Sequence, residues 1–485
     1  MSLLLRNARL RGADRPTDVL VHDGLIAGIG AFETATDTVD LEGRYVGPGL
    51  WDAHVHVGQW ALQSARLDVS GATSAAETVD LIRRHLAETP LQPGVVLVGS
   101  GFRDGLWPDA PTPELLDALG APVALVSGDV HTVWSNAAAL TISGLPVTDW
   151  WLREQPAFDL NVRLSDVPVA QLDRFVLDAA QRAAERGVVG IADFEFDDAP
   201  AAWVRRFAGG FRGLRVRAVV YPPHLDAAIT AGIHTGDALG DTGGLLTAGP
   251  LKLFTDGSLN TRTAWCDDDY PGFTGAEAAG IPTYEPDALL AIARSGFEHG
   301  IVPTIHAIGD RATSLALDTF EALAIPVAAP FRGSIQHAQL VRDADLPRFA
   351  ALGVRASVQP EQAMDDRDVA DHHWAGRTGR AFAYRSLLEA GAELEFGSDA
   401  PVAPLDPWIT MAAAVTRSRD GREPWHPEQA IPVAAALRAS QGGVAALAEG
   451  GVADLVVTDA DPLTADLRGM AVWGTMVAGR WTHGG

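Results

Sequence analysis

The sequence contains very little lysine and cysteine. Among its 37 lysine and arginine residues, Lys252 is the only lysine, and Cys266 is the single cysteine. One cysteine excludes a disulfide within the chain and is typical of a reducing compartment. Arginine stays charged, whereas a buried lysine can lose its proton and react or bind metal as a carbamate. A bias toward arginine codons explains the scarcity of lysine, but not the position of Lys252 at the end of an apolar segment.

Positive charge and long apolar runs are also scarce. The 62 acidic residues outnumber the 37 basic ones, which gives a formal net charge of −25. Nucleic acids and anionic membranes are bound by basic surfaces, so this composition argues against both as partners. The sequence has neither an apolar run long enough to cross a bilayer nor the apolar core of a signal peptide. We therefore expect a cytoplasmic protein, as a monomer or homo-oligomer, that acts on a small molecule.

The middle of the chain alternates between apolar strand-like segments and helical patterns. This alternation predicts an α/β fold with a parallel sheet covered by helices. Eight segments are candidate strands: residues 45–56, 188–195, 214–221, 250–254, 301–306, 333–337, 354–359 and 394–399. Eight parallel strands predict a (β/α)8 barrel, the TIM barrel.

The two ends of the chain share a different pattern of short strands and tight turns. Neither end alone can bury a core easily, so we predict that they pair into one small composite β-sandwich. Residues 1–50 and 431–485 are assigned to it, the latter with a C-terminal helix, and residues 51–430 to the barrel. The segment at about 59–167 is too long for an ordinary connection. It predicts an insertion after the first barrel strand, over the barrel mouth.

Polar side chains stand where the predicted barrel strands end. His54 and His56 alternate along the first strand and therefore share one side of it, where two imidazoles can bind one metal ion. An HxH pair alone is a weak signal. Four further candidates end later strands: Lys252, His306, His337 and Asp399. Barrel enzymes build their sites at this end of the strands, so the set predicts a metal-dependent site, although each member alone fits a structural role.

Six motifs extend this pattern along the chain: GPGLWDAHVH at 47–56, LKLFTDGSL at 251–259, IHAIGD at 305–310, IQHA at 335–338, GSDAPV at 397–402 and GGVADLVV at 450–457. Together they resemble the metal-dependent amidohydrolase superfamily. Within it they are most similar to the YtcJ-like branch, or amidohydrolase 3 family, which includes N-substituted formamide deformylases. The resemblance implies a (β/α)8 barrel with a composite β-sandwich and a metal site.

The resemblance also implies the metal ligands. His54 and His56 would bind the more buried ion, and His306 and His337 the second. Lys252 would bridge the two ions as a carboxylated lysine. The implied cofactors are one or two divalent ions per chain, usually zinc, and carbon dioxide as the carbamate on Lys252 in a binuclear site. Without the carbamate, the site would be mononuclear or the lysine structural.

Asp399 would complete the metal site and shuttle a proton. Zinc lowers the pKa of a bound water from ~15.7 to about 7, and Asp399 can take the proton during attack and return it to the leaving amine. We therefore predict a metal-dependent hydrolase whose metal-activated hydroxide cleaves a C–N amide-type bond, linear or cyclic but not peptide backbone. Deamination, ester hydrolysis and isomerisation remain alternatives, because this fold and its ligands do not define the substrate. A non-catalytic scaffold is a further alternative, although such relatives usually lack the ligands.

Four other side chains are candidate substrate contacts: His131, Trp134, Arg262 and Gln362. His131 and Trp134 lie in a segment that resembles a recurring part of this branch's insertion, where they would either line the pocket or join the insertion to the barrel. Arg262 would either orient an anionic end of the substrate or pair with a carboxylate. Gln362 stands where many relatives have a histidine, so it bears on substrate specificity and not on the metal ligands.

Overall fold

The structure is a computed structural model that describes residues 2–13, 15–33, 37–102, 104, 107–127, 132–147, 149–153 and 155–485. The chain divides into two compact units, Met1–Gln59 with Ala180–Gly485, and Trp60–Ala179. Two helices, Val57–Ser64 and Val169–Glu185, contain the boundaries between them. Across the described residues, every helix is too short or too polar to cross a bilayer.

Eight parallel strands form the barrel of the first unit: Leu50–Val55, Val188–Asp193, Arg215–Val220, Leu246–Phe254, Pro303–Ala307, Ser334–His337, Arg355–Val358 and Leu394–Phe396. Each pairs with its neighbour in chain order. The backbone beyond the last strand meets the first, since Asp399 N donates to His54 O at 2.8 Å and His56 N donates to Ala400 O at 2.9 Å. The predicted (β/α)8 barrel is confirmed.

Several barrel strands are buried on both faces, so buried and exposed residues do not alternate along them. Every residue of Val188–Asp193, Pro303–Ala307 and Ser334–His337 is buried. Parallel strands covered by helices have this character, in contrast to the alternating pattern of a sheet with one wet face. Nine α-helices lie wholly within the part of this unit that the structure describes: Ala199–Ala208, Pro222–Thr230, Pro286–Glu298, Asp310–Leu323, Leu346–Leu352, Pro360–His373, Tyr384–Glu389, Pro407–Thr416 and Val433–Ala439.

The first turn of the helix Pro360–His373 is fixed by a proline and by the ion pair of a buried glutamate. Pro360 occupies the first helical position, where its missing N–H costs nothing and its fixed φ suits the helix. Glu361 is buried and accepts hydrogen bonds from Arg468 Nη1 and Nη2 at 3.1 and 3.0 Å. Gln362, the next residue, is thereby held beside the barrel strands.

The two ends of the chain form one mixed sheet of eight strands: Ser2–Leu10, Thr17–His22, Leu25–Gly30, Asp37–Asp40, Tyr45–Pro48, Leu455–Thr458, Val472–Val477 and Arg480–His483. Tyr45–Pro48 joins the ends, because it pairs in parallel with Ser2–Leu10 and antiparallel with Leu455–Thr458. Leu5, Val19 and Met476 are fully or almost fully buried in the core of this region. The predicted pairing of the two ends is confirmed.

The first predicted strand, residues 45–56, is wrong as a single element. It consists of two strands, Tyr45–Pro48 in the mixed sheet and Leu50–Val55 in the barrel. Gly49 separates them, and a Cβ there would lie 2.2 Å from Val189 Cγ1. Glycine therefore permits the close approach at which the chain passes from one sheet to the other.

The second unit, Trp60–Ala179, has its own sheet and core. Its strands are Leu67–Asp68, Leu97–Phe102, Val123–Ser127, Thr132–Ser135 and Trp151–Arg153, and its helices are Ala75–Glu88, Pro113–Asp117, Ala137–Ile142 and Gln155–Ser165. Phe102, Val123, Leu125 and Trp134 are buried together in its core. Nearly all of the predicted insertion at about 59–167 belongs to this unit.

Candidate metal centre

Asp399 lies beside two histidines at the carboxyl end of the first barrel strand, His54 within it and His56 directly after it. Its Oδ1 is 3.5 Å from His54 Nε2 and 3.3 Å from His56 Nε2. His54, His337 and Asp399 each offer one ligand atom, and these three atoms lie within 4.8 Å of one another. All three side chains are buried. The barrel thus brings together nitrogen and oxygen donors that can hold a divalent ion.

Gln336 prepares His54 for metal binding. His54 Nδ1 is 2.8 Å from Gln336 Oε1, an acceptor, so Nδ1 carries the proton and Nε2 keeps its lone pair. Gln336 Nε2 donates to Thr304 Oγ1 at 2.9 Å and to Ser334 Oγ at 3.0 Å, which holds the amide in this orientation. His54 Nε2 therefore presents a lone pair toward the Asp399 carboxylate. A cation between these two atoms would satisfy both.

His306 and His337 form the other part of the cluster, with ring centroids 4.6 Å apart. His306 Nε2 is 3.1 Å from Gly257 O, which can only accept, so His306 Nδ1 keeps the lone pair. His337 Nδ1 and His56 Nδ1 are buried and have no hydrogen-bond partner among the described residues. Buried polar atoms without partners are rare, and a ligand is one explanation for them. The donor set therefore fits a divalent metal ion.

Lys252 lies in the barrel strand Leu246–Phe254 and is 1% exposed. Its Nζ is 4.8 Å from the ring centroid of Phe194 and 4.9 Å from that of Phe254. Burial lowers the pKa of Lys252 to about 7. A large fraction of the amine is therefore neutral near pH 7, the form that can react with carbon dioxide.

The electrostatics of the cluster favour neutral imidazoles and an ionised carboxylate. Burial lowers the pKa of His54 and His306 well below the usual value and that of His337 to about 4. Burial alone would raise the pKa of Asp399, but the adjacent histidines outweigh it and hold that pKa well below its usual range. Metal ions bind the neutral imidazole and the carboxylate, so these three histidines and Asp399 are in the required forms.

Two buried carboxylates that the sequence analysis missed support the ligands. Asp52 accepts hydrogen bonds from the backbone N of His54 at 3.1 Å and of Ser398 at 2.9 Å. Asp256 accepts from the backbone N of Gly309 at 2.8 Å, and its Oδ1 is 3.4 Å from His306 Nε2. Burial raises the pKa of both carboxyls to about 7. Both residues lie in sequence motifs that contain candidate ligands, WDAHVH and LKLFTDGSL, and this location could have identified them from the sequence.

The six candidate ligands line one cavity of about 430 Å³. Part of its lining is apolar, with Phe196, Phe254, Leu259, Ile308 and Val402. Another part is polar and includes Gln339, Gln362 and Asp366. The cavity can hold a small organic molecule beside the cluster.

The four predicted substrate contacts have different surroundings. Gln362 lines the cavity, and its Nε2 donates to Asp399 Oδ2 at 2.9 Å. Arg262 lies with its guanidinium carbon 5.4 Å from the Phe273 ring centroid and forms no ion pair with the described residues. Trp134 is fully buried in the second unit and donates to Thr112 O at 3.0 Å, which suits a packing role. His131 lies outside the described residues, so its predicted contact remains a prediction.

Comparison with known proteins covers nearly the whole chain. The amidohydrolase family matches residues 37–483. The chain is 26% identical to the YtcJ protein of Bacillus subtilis (strain 168), covering 94% of this chain and 93% of that protein. It is also 26% identical to an N-substituted formamide deformylase of Arthrobacter pascens, covering 98% and 97%.

A solved structure shows the same fold. It is an uncharacterized metal-dependent hydrolase from Pyrococcus horikoshii OT3, 26% identical, with a TM-score of 0.77 over 97% of this chain and 100% of that one. These similarities confirm the resemblance carried by the six sequence motifs. The chain belongs to the amidohydrolase family.

Proposed function

We propose that the protein is a metal-dependent hydrolase that cleaves a C–N amide-type bond, linear or cyclic but not peptide backbone, in a small molecule. The observation that carries the proposal is the buried cluster of His54, His337 and Asp399, whose ligand atoms lie within 4.8 Å of one another in a cavity large enough for such a substrate. His56, Lys252 and His306 line the same cavity. A divalent ion, with zinc the first choice for these nitrogen and oxygen donors, suits this set.

Each residue of the cluster has a proposed task. A single ion would be held by His54, His337 and Asp399. With two ions, His54 and His56 would hold the first together with Asp399, and His306 and His337 would hold the second. Such an ion supplies Lewis-acid polarisation of a carbonyl and acidifies water. Burial holds the pKa of His54 well below its usual value and Gln336 orients its ring, so this ligand needs little rearrangement.

Asp399 acts as the general base and then as the general acid. Gln362 holds its Oδ2 at 2.9 Å, while Oδ1 faces the imidazoles of His54 and His56. A carboxylate fixed in this way can take a proton from the attacking water and return it to the leaving nitrogen. Gln362 is therefore proposed to position Asp399 as well as to border the substrate.

Lys252 is proposed to carry a carbamate when two ions are bound. Its buried neutral amine can attack carbon dioxide: an N–C bond forms while one C=O π bond and one N–H bond break. The proton leaves to solvent, and the carbamate carries one negative charge shared by two oxygens. A bridging anion of this kind suits a pair of divalent ions, which a plain ammonium would repel.

A C–N bond as the target is supported by the similarity to the formamide deformylase of Arthrobacter pascens, which covers 97% of that protein. The test is a screen of N-alkyl formamides and cyclic amides alongside matched esters and heterocyclic amines. We expect hydrolysis of one of the amide classes. A rate confined to the esters or to deamination of the heterocyclic amines would overturn the assignment of the bond.

The same screen with Asp399→Asn tests the mechanism. We expect a loss of about 10²–10⁴-fold in kcat, because proton transfer by a positioned side chain contributes that much. Asp237→Asn is the matched control, since Asp237 is exposed and contacts His234 in a surface turn. Full activity in Asp399→Asn would contradict the role of Asp399.

A further inference from the structure

Asp366 lies on the helix Pro360–His373 and lines the same cavity as the metal cluster. It is half-buried, and each of its oxygens accepts one hydrogen bond. Asn260 Nδ2 donates to Oδ1 at 3.0 Å, and Gln339 Nε2 donates to Oδ2 at 3.0 Å. Both donors also line the cavity. A carboxylate oxygen has room for a second hydrogen bond, so Asp366 can still accept from a molecule in the cavity.

No cation in the described part of the chain balances the charge of Asp366. Three other acidic residues of the helix form ion pairs with arginines: Glu361 with Arg468, Asp365 with Arg419 and Asp368 with Arg422. Among the described residues, Asp366 has no such partner. Burial raises its pKa, the two amide donors lower it, and the charged neighbour that contributes is Asp365, which raises it further. A half-buried carboxylate in this situation is stabilised by any cation that reaches it.

A second part of the lining is an exposed aromatic surface. Phe196 is 56% exposed, and its ring stacks on the His56 imidazole with the two ring centroids 5.1 Å apart. It also lies nearly parallel to Phe254, at 15° and 6.3 Å. A large apolar side chain left open in a cavity is suited to contact an apolar part of a ligand. The lining therefore offers an apolar contact and an unbalanced negative charge beside the same metal cluster.

We propose that Asp366 determines substrate specificity by binding a cationic nitrogen group of the substrate, such as an ammonium or amidinium, while an apolar part of the substrate packs on Phe196. The proposal rests on the proposed function in one respect, that this cavity receives the substrate. The cavity therefore selects basic amides. Their cationic end binds Asp366, and their scissile bond reaches the cluster around Asp399. Acidic amides are disfavoured because Asp366 borders the cavity without a balancing cation among the described residues.

The test uses three flat molecules of one shape and different charge: benzamidine, benzamide and benzoate, which are positive, neutral and negative near pH 7. Their binding is measured by calorimetry with the full chain, both loaded with zinc and stripped with a chelator. We expect benzamidine to bind at least about tenfold more tightly than benzamide, since hydrogen bonds to charged groups are the stronger kind. Benzoate should bind the stripped protein most weakly.

The variant Asp366→Asn should weaken benzamidine binding about tenfold or more and leave benzamide nearly unchanged. Asp368→Asn is the matched control, because Asp368 is on the same helix but exposed and paired with Arg422. Equal binding of benzamidine and benzamide by the wild type, or of benzamidine by wild type and Asp366→Asn, would overturn the proposal. If Asp366→Asn does not fold, the salt dependence of binding to the wild type is measured instead. Added salt should weaken the binding of benzamidine more than that of benzamide, and an equal response of the two ligands would refute the proposal.

The stripped protein separates this proposal from the proposed function. A protein that fails to bind zinc would refute the metal-dependent hydrolase. The charge preference of the cavity would still be read from the same titration, since Asp366 needs no metal to attract benzamidine.

Discussion

Replacing Gln336 with leucine tests how the fold prepares His54. Gln336 is 2% exposed and accepts the Nδ1 proton of His54 at 2.8 Å. Leucine has a similar volume but no acceptor, so His54 Nδ1 loses its partner. Thr304 Oγ1 and Ser334 Oγ stay paired with each other at 2.7 Å. The change therefore acts mainly on the histidine.

The magnitude has two parts. Leaving a buried donor unsatisfied costs about 1–3 kcal/mol of unfolding free energy. Loss of the residue that orients a metal-binding histidine typically weakens metal affinity by about 10–100-fold. We therefore expect Gln336→Leu to be moderately less stable and to bind zinc ~10–100-fold more weakly. Stability is measured by urea unfolding of the metal-free protein, and affinity by competition with a chromogenic chelator.

Gln429→Leu is the matched control. Gln429 is also buried, at 6% exposure, and its amide bonds with Ser386, outside the lining of the cavity. We expect it to lose a similar unfolding free energy while keeping wild-type zinc affinity. If Gln336→Leu binds zinc as tightly as the wild type, the role of Gln336 in orienting His54 is wrong.

Two further substitutions probe the packing around the site and the second unit. A Cβ at Gly397 would lie 2.7 Å from both Cβ and backbone N of His54, so Gly397→Ala should displace His54 and lower zinc affinity in the chelator competition by about tenfold or more. Wild-type affinity would contradict this. Trp134→Phe removes the hydrogen bond to Thr112 O and should lower the unfolding free energy by about 1–3 kcal/mol in urea titrations, with KM unchanged. A changed KM with unaltered stability would instead support the predicted substrate contact.

The barrel and the grouping of the candidate ligands could be predicted from the sequence. Eight strand-like segments alternate with helical patterns, and the carboxyl ends of parallel strands share one side of a barrel. His54, Lys252, His306, His337 and Asp399 therefore line one cavity although they lie far apart in the chain. The alternation of strand-like and helical segments predicts the barrel, and the rule that barrel sites lie at the carboxyl ends of the strands predicts the grouping of the ligands.

The supporting contacts could not be predicted in the same way. Asp52 accepts from the backbone of Ser398, and Gln336 bonds to His54, in each case across hundreds of residues. Such contacts depend on how the eight strands close into a barrel, which no local period encodes, since the strands of His54 and Gln336 are not neighbours in the sheet. The division at Gly49 was missed for the same reason, because the partners of the two strands determine which sheet each joins.

The central claim is a metal centre completed by Lys252, and metal stoichiometry tests it most directly. The wild type and Lys252→Ala should be expressed with zinc and bicarbonate, checked for folding by circular dichroism, and analysed for metal content. We predict about two ions per wild-type chain and at least one fewer in the variant, as a bridging ligand requires. A well-folded wild type without metal would contradict the account, and one ion unaffected by the substitution would refute the bridging role of Lys252.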